Sequence, residues 1–350
     1  MFTPDKTLVI RFSSIGDIVL SSPLLRVLRA RFPKSQIDYV TRREYAELVK
    51  FNHNLNFTYE FDTMGGFEGL RRLKKRVRDE RYDLVIDIHN SIRSRYLRSM
   101  RSAEEIVSID KRIVERTALV KLKKNLYKEI IPVEDRYIEP LKKFGIENDG
   151  KGPELHIPDE ILFDVSGKMA TLQLSRFEKV IGLCPSSKHE TKRWPQDRFV
   201  EVGIRLGKKF DAKVLVFGGE GDRRLCSSIA DSIVEKAGPD HATNFSGQFS
   251  LLQTAAAMEY CDVIITNDSG LMHIASAMKK KLVAIFGSTV REFGFFPTGP
   301  GSIVIERTGL YCRPCSHIGR RSCPEGHFRC MNEIGVDEVS RCATELVSGN

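Results

Sequence analysis

Long apolar runs are missing from this 350-residue chain. No segment approaches the roughly 20 uninterrupted apolar residues of a membrane helix, and the longest candidates carry Lys, Arg or Asp within a few positions. The expectation is a chain that is not an integral membrane protein. A secretory leader is not expected either, because MFTPDKTLVIRFSS holds an acidic residue and a short strand-like run soon interrupted by Arg11. The expected compartment is the cytoplasm. Neither glycine (26) nor proline (14) is in excess, which sets aside collagenous and low-complexity chains, and tryptophan occurs once, at Trp194.

What is present is an ordinary globular composition, 41% apolar and 29% charged, long enough for two domains with sizeable cores. Lys+Arg 55 against Asp+Glu 46 leaves a net charge of +9. Residues 1–160 hold 31 basic and 25 acidic side chains (+6), and the remainder holds 24 and 21 (+3). An acidic ligand is therefore expected to meet the N-terminal half.

Thr7 to Phe12 (TLVIRF) reads as a strand and Ser13 to Asp17 as a loop. Leu20, Leu24, Leu25 and Leu28 give a helix from Ile18, with Pro23 tolerable only near its first turn. Further strands are read at Gln36 to Val40 and Leu84 to Ile88, with a helix around Arg43 to Phe51 and a strongly basic helix over Gly69 to Tyr82. Residues 101–160 are less regular, and Glu147 to Pro158 reads as a linker, which divides the chain into domains 1–155 and 156–350. Beyond it come strands at Lys179 to Cys184, Lys213 to Phe217, Val263 to Thr266 and Leu282 to Phe286. Helices are read at Gln196 to Lys208, Asp222 to Glu235, Leu251 to Met258 and Ser269 to Met278. This alternation predicts an α/β protein of two doubly wound, Rossmann-like parallel-sheet domains, with ligands in a cleft at the carboxyl ends of the strands.

Ile15-Gly16-Asp17 lies just past the first strand, and Asp17 reads either as a first-turn acid complementing a helix dipole or as a general base. The loop Pro185 to Pro195 (PSSKHETKRWP) is either a solvated basic loop or a diphosphate site built from Ser186, Ser187, Lys188, Lys192 and Arg193. Trp194 is expected to anchor that loop in the core. Glu220, after Phe217-Gly218-Gly219, follows what is first of all a turn and is also placed to accept ribose hydroxyls. Asp268, Ser269 and Gly270 begin a helix, as caps or as an anion site, and His273 on that helix reads as packing or as a ligand.

The segments SSIGDIVLSSPLLRVLRARFP, YDLVIDIHNSIRS, SSKHETKRWP and NDSGLMHIASAMKKKLVAIFGST occur in this order over most of the chain. As a set they resemble the ADP-heptose:lipopolysaccharide heptosyltransferase family. The resemblance implies the GT-B architecture, two Rossmann-like domains facing across a cleft, and an inverting glycosyltransferase. It implies Asp17 as catalytic base, with Ser14, Gly16, His89 and Asn90 beside the acceptor. Ser186, Ser187 and Lys192 would contact the donor diphosphate, with Lys192 also stabilising the departing ADP. Glu220 would hold the ribose, and Asp268, Ser269, Gly270 and His273 would form the donor-sugar and phosphate loop. The implied partners are ADP-heptose and a phosphorylated lipopolysaccharide core, with no cofactor required for catalysis. A GT-B transferase of another nucleotide sugar, or of a protein acceptor, is the near alternative.

Cysteines in a reducing compartment point to metal or redox chemistry more than to disulfides. Cys312-x2-Cys315-x7-Cys323-x6-Cys330 suits a tetrahedral structural zinc or iron site, with reduced packing thiols and a disulfide pair as alternatives. Similar Cys-rich segments, some of them iron-binding, belong to part of the resembled family. Cys184, Cys226, Cys261 and Cys342 read as ordinary buried thiols. The helix over Gly69 to Tyr82 carries Leu70, Leu73 and Val77 on one face and six basic residues from Arg71 to Arg78 elsewhere. It reads as a solvated face, or as a cationic surface meeting phosphorylated lipid or the anionic inner membrane at about 1 kcal/mol per basic residue. The remote alternative, a zinc-containing nucleic-acid-binding protein, leaves the two α/β halves unexplained, so no nucleic acid is expected as a partner.

Overall fold

The computed structural model describes residues 2–99 and 103–349. The chain forms two compact units. The first runs to Ile113 and resumes over Ile131–His156; the second takes Val114–Ile130 and everything from Ile157 onward. Within the first unit Arg26 pairs with Asp149 (2.6 Å) and Glu154 (2.8 Å), and the Glu154 amide donates to Ser22 Oγ (2.8 Å). Much of the segment read as a linker is thus bound to the first unit.

The first unit holds five strands, β1 (Lys6–Ile10), β2 (Gln36–Arg42), β3 (Phe57–Phe61), β4 (Leu84–Asp87) and β5 (Glu105–Ser108), in the order β3-β2-β1-β4-β5. The second holds β6 (Lys179–Cys184), β7 (Ala212–Val216), β8 (Ala242–Asn244), β9 (Val263–Asn267), β10 (Leu282–Phe286) and β11 (Ser302–Glu306), in the order β11-β10-β9-β6-β7-β8. Every pairing is parallel. Interior strands such as β4, β7, β9 and β10 are buried along their whole length, as parallel strands covered by helices on both faces must be.

In each sheet the chain reverses its direction of travel beside the unit's first strand: between β1 and β4 in one, and between β6 and β9 in the other. Such switch points leave room at the carboxyl ends of the strands, because the connections run off to opposite sides. Register fixes the details. Ile10 pairs with Asp87 and Cys184 with Thr266, so the loops after β1 and β4 start together, as do those after β6 and β9.

Two local expectations change. The loop read over Ser13 to Asp17 is partly a one-turn helix, Ile15–Val19, and the helix read from Ile18 is broken before Ser22–Arg31. Pro23 has no N–H to offer the Val19 carbonyl, and Ser22 Oγ takes that carbonyl instead (2.7 Å). The helix read around Arg43 to Phe51 is a 3₁₀ turn, Arg43–Tyr45, followed by the single turn Glu47–Lys50.

Candidate active site

At the end of β1 the Asp17 carboxylate is fixed from four directions. Oδ2 accepts from the Ser14 amide (3.0 Å) and Ser14 Oγ (2.8 Å), while Oδ1 accepts from Tyr137 OH (3.1 Å) and pairs with the Arg11 guanidinium. The first-turn role and a site role therefore coexist: one oxygen closes the helix start at Ser14, and the other faces Arg11. Burial pushes this carboxyl up, but the Arg11 charge and the Ser14 donors outweigh it and bring it down to about 2. Arg11 is itself held by the carbonyls of Ser13 (2.7 Å) and Ile88.

Next to this pair lies His89. Burial, with the Arg11 and Lys111 charges, pushes it down to about 3, so its imidazole is neutral at physiological pH. Its Nδ1 is buried without a hydrogen-bond partner, a polar atom left unsatisfied. Asn90 differs: its Nδ2 donates to the Ile109 carbonyl (3.0 Å), its Oδ1 accepts from Arg95 (3.0 Å), and its φ is 44°. Its amide closes the turn after β4. Gly16 is buried in the one-turn helix, and Ser14 is exposed beside Asp17.

In the second unit, the loops after β6 and β9 meet as their register requires. Lys192 Nζ pairs with Asp268 Oδ2 at 2.7 Å, and Thr289 Oγ1, after β10, donates to the same oxygen (2.6 Å). Burial opposes ionisation of Asp268, but Lys192 and the Thr289 donor lower its pKa overall. Ser187 Oγ donates to the Asp268 carbonyl (3.1 Å), and Arg193 Nε to the Ser187 carbonyl (2.7 Å). Ser186 is buried beside them.

Ser269 sits at the N-cap of the helix Gly270–Ala277, yet its side chain makes no capping bond and its Oγ is buried without a partner. The capping role considered for Asp268 and Ser269 is thus not what their side chains perform. The open amides at that helix start can receive an anion, next to the Lys192 ammonium. His273 is buried one turn along and adds to the field that holds Asp268 ionised. Trp194 is buried, its Nε1 donating to the Ile334 carbonyl (3.0 Å), so it anchors the loop as expected. Glu220 is a solvent-facing carboxylate after β7, paired with Arg223 (2.8 Å).

Cys312, Cys315, Cys323 and Cys330 line one small cavity together with His327. The donor set suits a soft metal, but the arrangement does not fit one: among the described residues no three His, Cys, Asp or Glu side chains converge to hold an ion. Cys312 Sγ lies 3.9 Å from His327 Nε2, a hydrogen-bond contact, and burial pushes the Cys330 thiol up to about 12. As they stand, the four cysteines are free thiols around one cavity. All eight cysteines are free, and Cys184, Cys226, Cys261 and Cys342 are buried as expected.

Local motifs point to Asp17, Ser14, Lys192 and Asp268 but not to Tyr137, which also fixes Asp17. Tyr137 lies 120 residues from Asp17 in sequence, with no local signal. Thr289 was reachable, since it follows β10 at the same end of the sheet.

Two all-parallel α/β units, one presenting a fixed carboxylate and the other a lysine beside an open helix start, have the architecture of a GT-B glycosyltransferase. The model of the family described as Glycosyltransferase family 9 (heptosyltransferase) matches residues 70–325, and the chain belongs to that family. It is 26% identical over 345 residues to lipooligosaccharide heptosyltransferase 2 of Campylobacter jejuni, covering 96% of each chain. Among solved structures it resembles a glycosyl transferase family 9 protein of Veillonella parvula, with a TM-score of 0.83 and 24% identity, covering 100% of this chain and 99% of that one. It also resembles the E. coli ADP-heptose lps heptosyltransferase II, with a TM-score of 0.74 and 23% identity, covering 98% of this chain and 99% of that one.

Proposed function

We propose that this enzyme is an inverting transferase that moves heptose from ADP-heptose to a hydroxyl of the lipopolysaccharide inner core. The observation that carries the reading is that the first unit holds a fixed, ionised Asp17 and the second holds the Lys192–Asp268–Ser269 constellation. Family membership and the named specificities of the relatives supply the sugar and the acceptor class.

The acceptor is bound by the first unit, with Ser14, Gly16 and His89 bordering Asp17 and Asn90 shaping the turn. The donor is bound by the second unit, through Ser186, Ser187, Lys192, Asp268, Ser269, Gly270 and His273, with Glu220 toward the ribose. The acceptor oxygen attacks the anomeric carbon from the face opposite the diphosphate. The bond to the diphosphate oxygen breaks, and the hydroxyl proton passes to Asp17. A carboxylate held near 2 is a weak base, but glycosyl transfer passes through an oxocarbenium-like state, and the attacking hydroxyl grows acidic as its bond to carbon forms. Lys192 and the amides at Ser269-Gly270 take up the negative charge of the departing ADP, so no divalent cation is required.

A structural zinc or iron ion at the four cysteines stays separate from this chemistry. It requires Cys330 to give up its proton and the sulfurs to draw together, and elemental analysis of protein purified without chelator reads it directly.

The acceptor is lipid-linked, so the enzyme works in the cytoplasm at the face of an anionic membrane. The basic helix Gly66–Asp79 suits that role: Leu70, Leu73 and Val77 are buried, its cations point outward, and Met64 and Phe67 stand exposed at its start. The enzyme is expected to sediment with phosphatidylglycerol vesicles and not with phosphatidylcholine vesicles. Replacing Arg72, Lys75 and Arg78 with Gln weakens that binding; equal binding to both lipids contradicts the assignment.

A further inference from the structure

The cysteine-rich segment is not remote from the donor loop. Thr191, adjacent to Lys192 and almost fully buried, joins the two by both its backbone and its side chain. Its amide donates to the Arg320 carbonyl (3.2 Å), and its Oγ1 accepts from the Arg320 amide (2.8 Å). The same hydroxyl meets Ser288 Oγ at 3.0 Å, and the Ser288 amide donates back to the Thr191 carbonyl (3.3 Å). Next in sequence, Thr289 accepts at its carbonyl from buried Arg313 (2.6 Å) while its hydroxyl donates to Asp268.

Thr191 and Ser288 also line the cavity formed by the four cysteines. The same two residues thus wall the thiol cavity on one side and precede Lys192 and Thr289 on the other. Contact is close enough to transmit movement. Gly319 has φ +108°, and a Cβ there would lie 2.5 Å from the Cβ of His189, so the Cys-rich segment presses directly on the donor loop. Tightly packed, hydrogen-bonded groups of this kind transmit displacement instead of absorbing it.

We infer that Thr191 is a positioning residue of the transfer reaction, and that through it the thiol cavity and the donor site are energetically linked. The inference rests on the reading of Lys192 and Asp268 as donor-binding groups. Linkage is reciprocal: whatever donor binding does to the cavity, a change at the cavity does to donor binding. Alkylation at Cys315 or Cys323, the two cysteines of the cluster that are partly exposed, then alters the hold on ADP without touching Asp17.

The test compares Thr191→Val, which keeps the shape and loses the hydroxyl bonds, with Thr191→Ser, which keeps the bonds. For Thr191→Val the donor KM is expected to rise about tenfold, within the range of ordinary site-to-site coupling, with a much smaller change in kcat; Thr191→Ser returns it close to wild type. In the second arm the wild-type enzyme is labelled with N-ethylmaleimide, and the modification of Cys315 and Cys323 is followed by mass spectrometry with and without ADP. ADP is expected to change the labelling rate in wild type, and the change is lost in Thr191→Val. If Thr191→Val misfolds, Ser288→Ala serves in both arms. Wild-type binding of ADP with an unaltered donor KM in Thr191→Val, or a labelling rate indifferent to ADP, overturns the inference alone. Failure of the wild-type enzyme to bind ADP overturns the donor reading beneath it.

Discussion

Asp17→Asn is expected to bind the donor with near wild-type affinity while kcat falls by roughly 10²–10⁴, the contribution of a positioned general base. The amide preserves the shape of the side chain and an oxygen for the Ser14 donors, but it cannot take the acceptor proton. Arg11 loses its buried counter-charge, and breaking a buried pair costs about 3–5 kcal/mol, so the thermal midpoint falls as well. Donor binding at a temperature where the variant is folded separates the two effects. Near-normal turnover contradicts the general-base role. The pH dependence has a definite sign. Asp17 is held at about 2, below the ordinary aspartate value near 3.9, so its contribution to stability is complete above that unfolded value and is lost as pH falls toward 2. Loss of activity at mildly acidic pH is therefore expected to come from groups other than Asp17.

Lys192→Met is expected to weaken donor binding about 10–100-fold, the equivalent of losing one charge-assisted hydrogen bond to phosphate. It also strands Asp268, whose lowered pKa depends on Lys192. Asp268 now contributes stability above the unfolded aspartate value that is lost as pH falls; without Lys192, burial is opposed by the Thr289 donor and His273 but no longer by the ammonium, so its pKa moves upward. The double variant Lys192→Met with Asp268→Asn removes the stranded charge, so it regains stability without regaining donor affinity. Because lysine and helix amides supply the charge, wild-type transfer is expected to persist in EDTA and Mg2+ is not expected to rescue Lys192→Met. A strict Mg2+ requirement in the wild type overturns this account of leaving-group stabilisation.

How far the sequence reveals this molecule depends on where a strand lies in its sheet. The seven interior strands of the described residues are legible, six as short apolar runs that burial on both faces demands and β2 (QIDYVTR) despite its interleaved polar residues. All four edge strands, β3, β5, β8 and β11, escape. Each has one unpaired side and exposed or half-exposed positions; FTYEF alternates apolar with polar residues, and the Ile303–Ile305 run of SIVIE is too short to stand out. The site divides similarly. Asp17, Lys192 and Asp268 stand in the segments that follow the interior strands β1, β6 and β9 and are found by position. Thr289 follows β10 and is reachable in the same way, whereas Tyr137 reaches Asp17 through tertiary packing, which leaves no local pattern. The cysteine spacing brings four thiols to one cavity, but spacing carries no information about whether their sulfurs converge.

The most direct measurement pits ADP-heptose against ADP-glucose, UDP-glucose and GDP-mannose as donors to a heptose-deficient lipopolysaccharide core, with product formation and anomeric configuration followed by NMR. Transfer from ADP-heptose with inversion, and little or none from the other three, is the predicted result. Preference for another nucleotide sugar, or a product with retained configuration, contradicts the account at its centre.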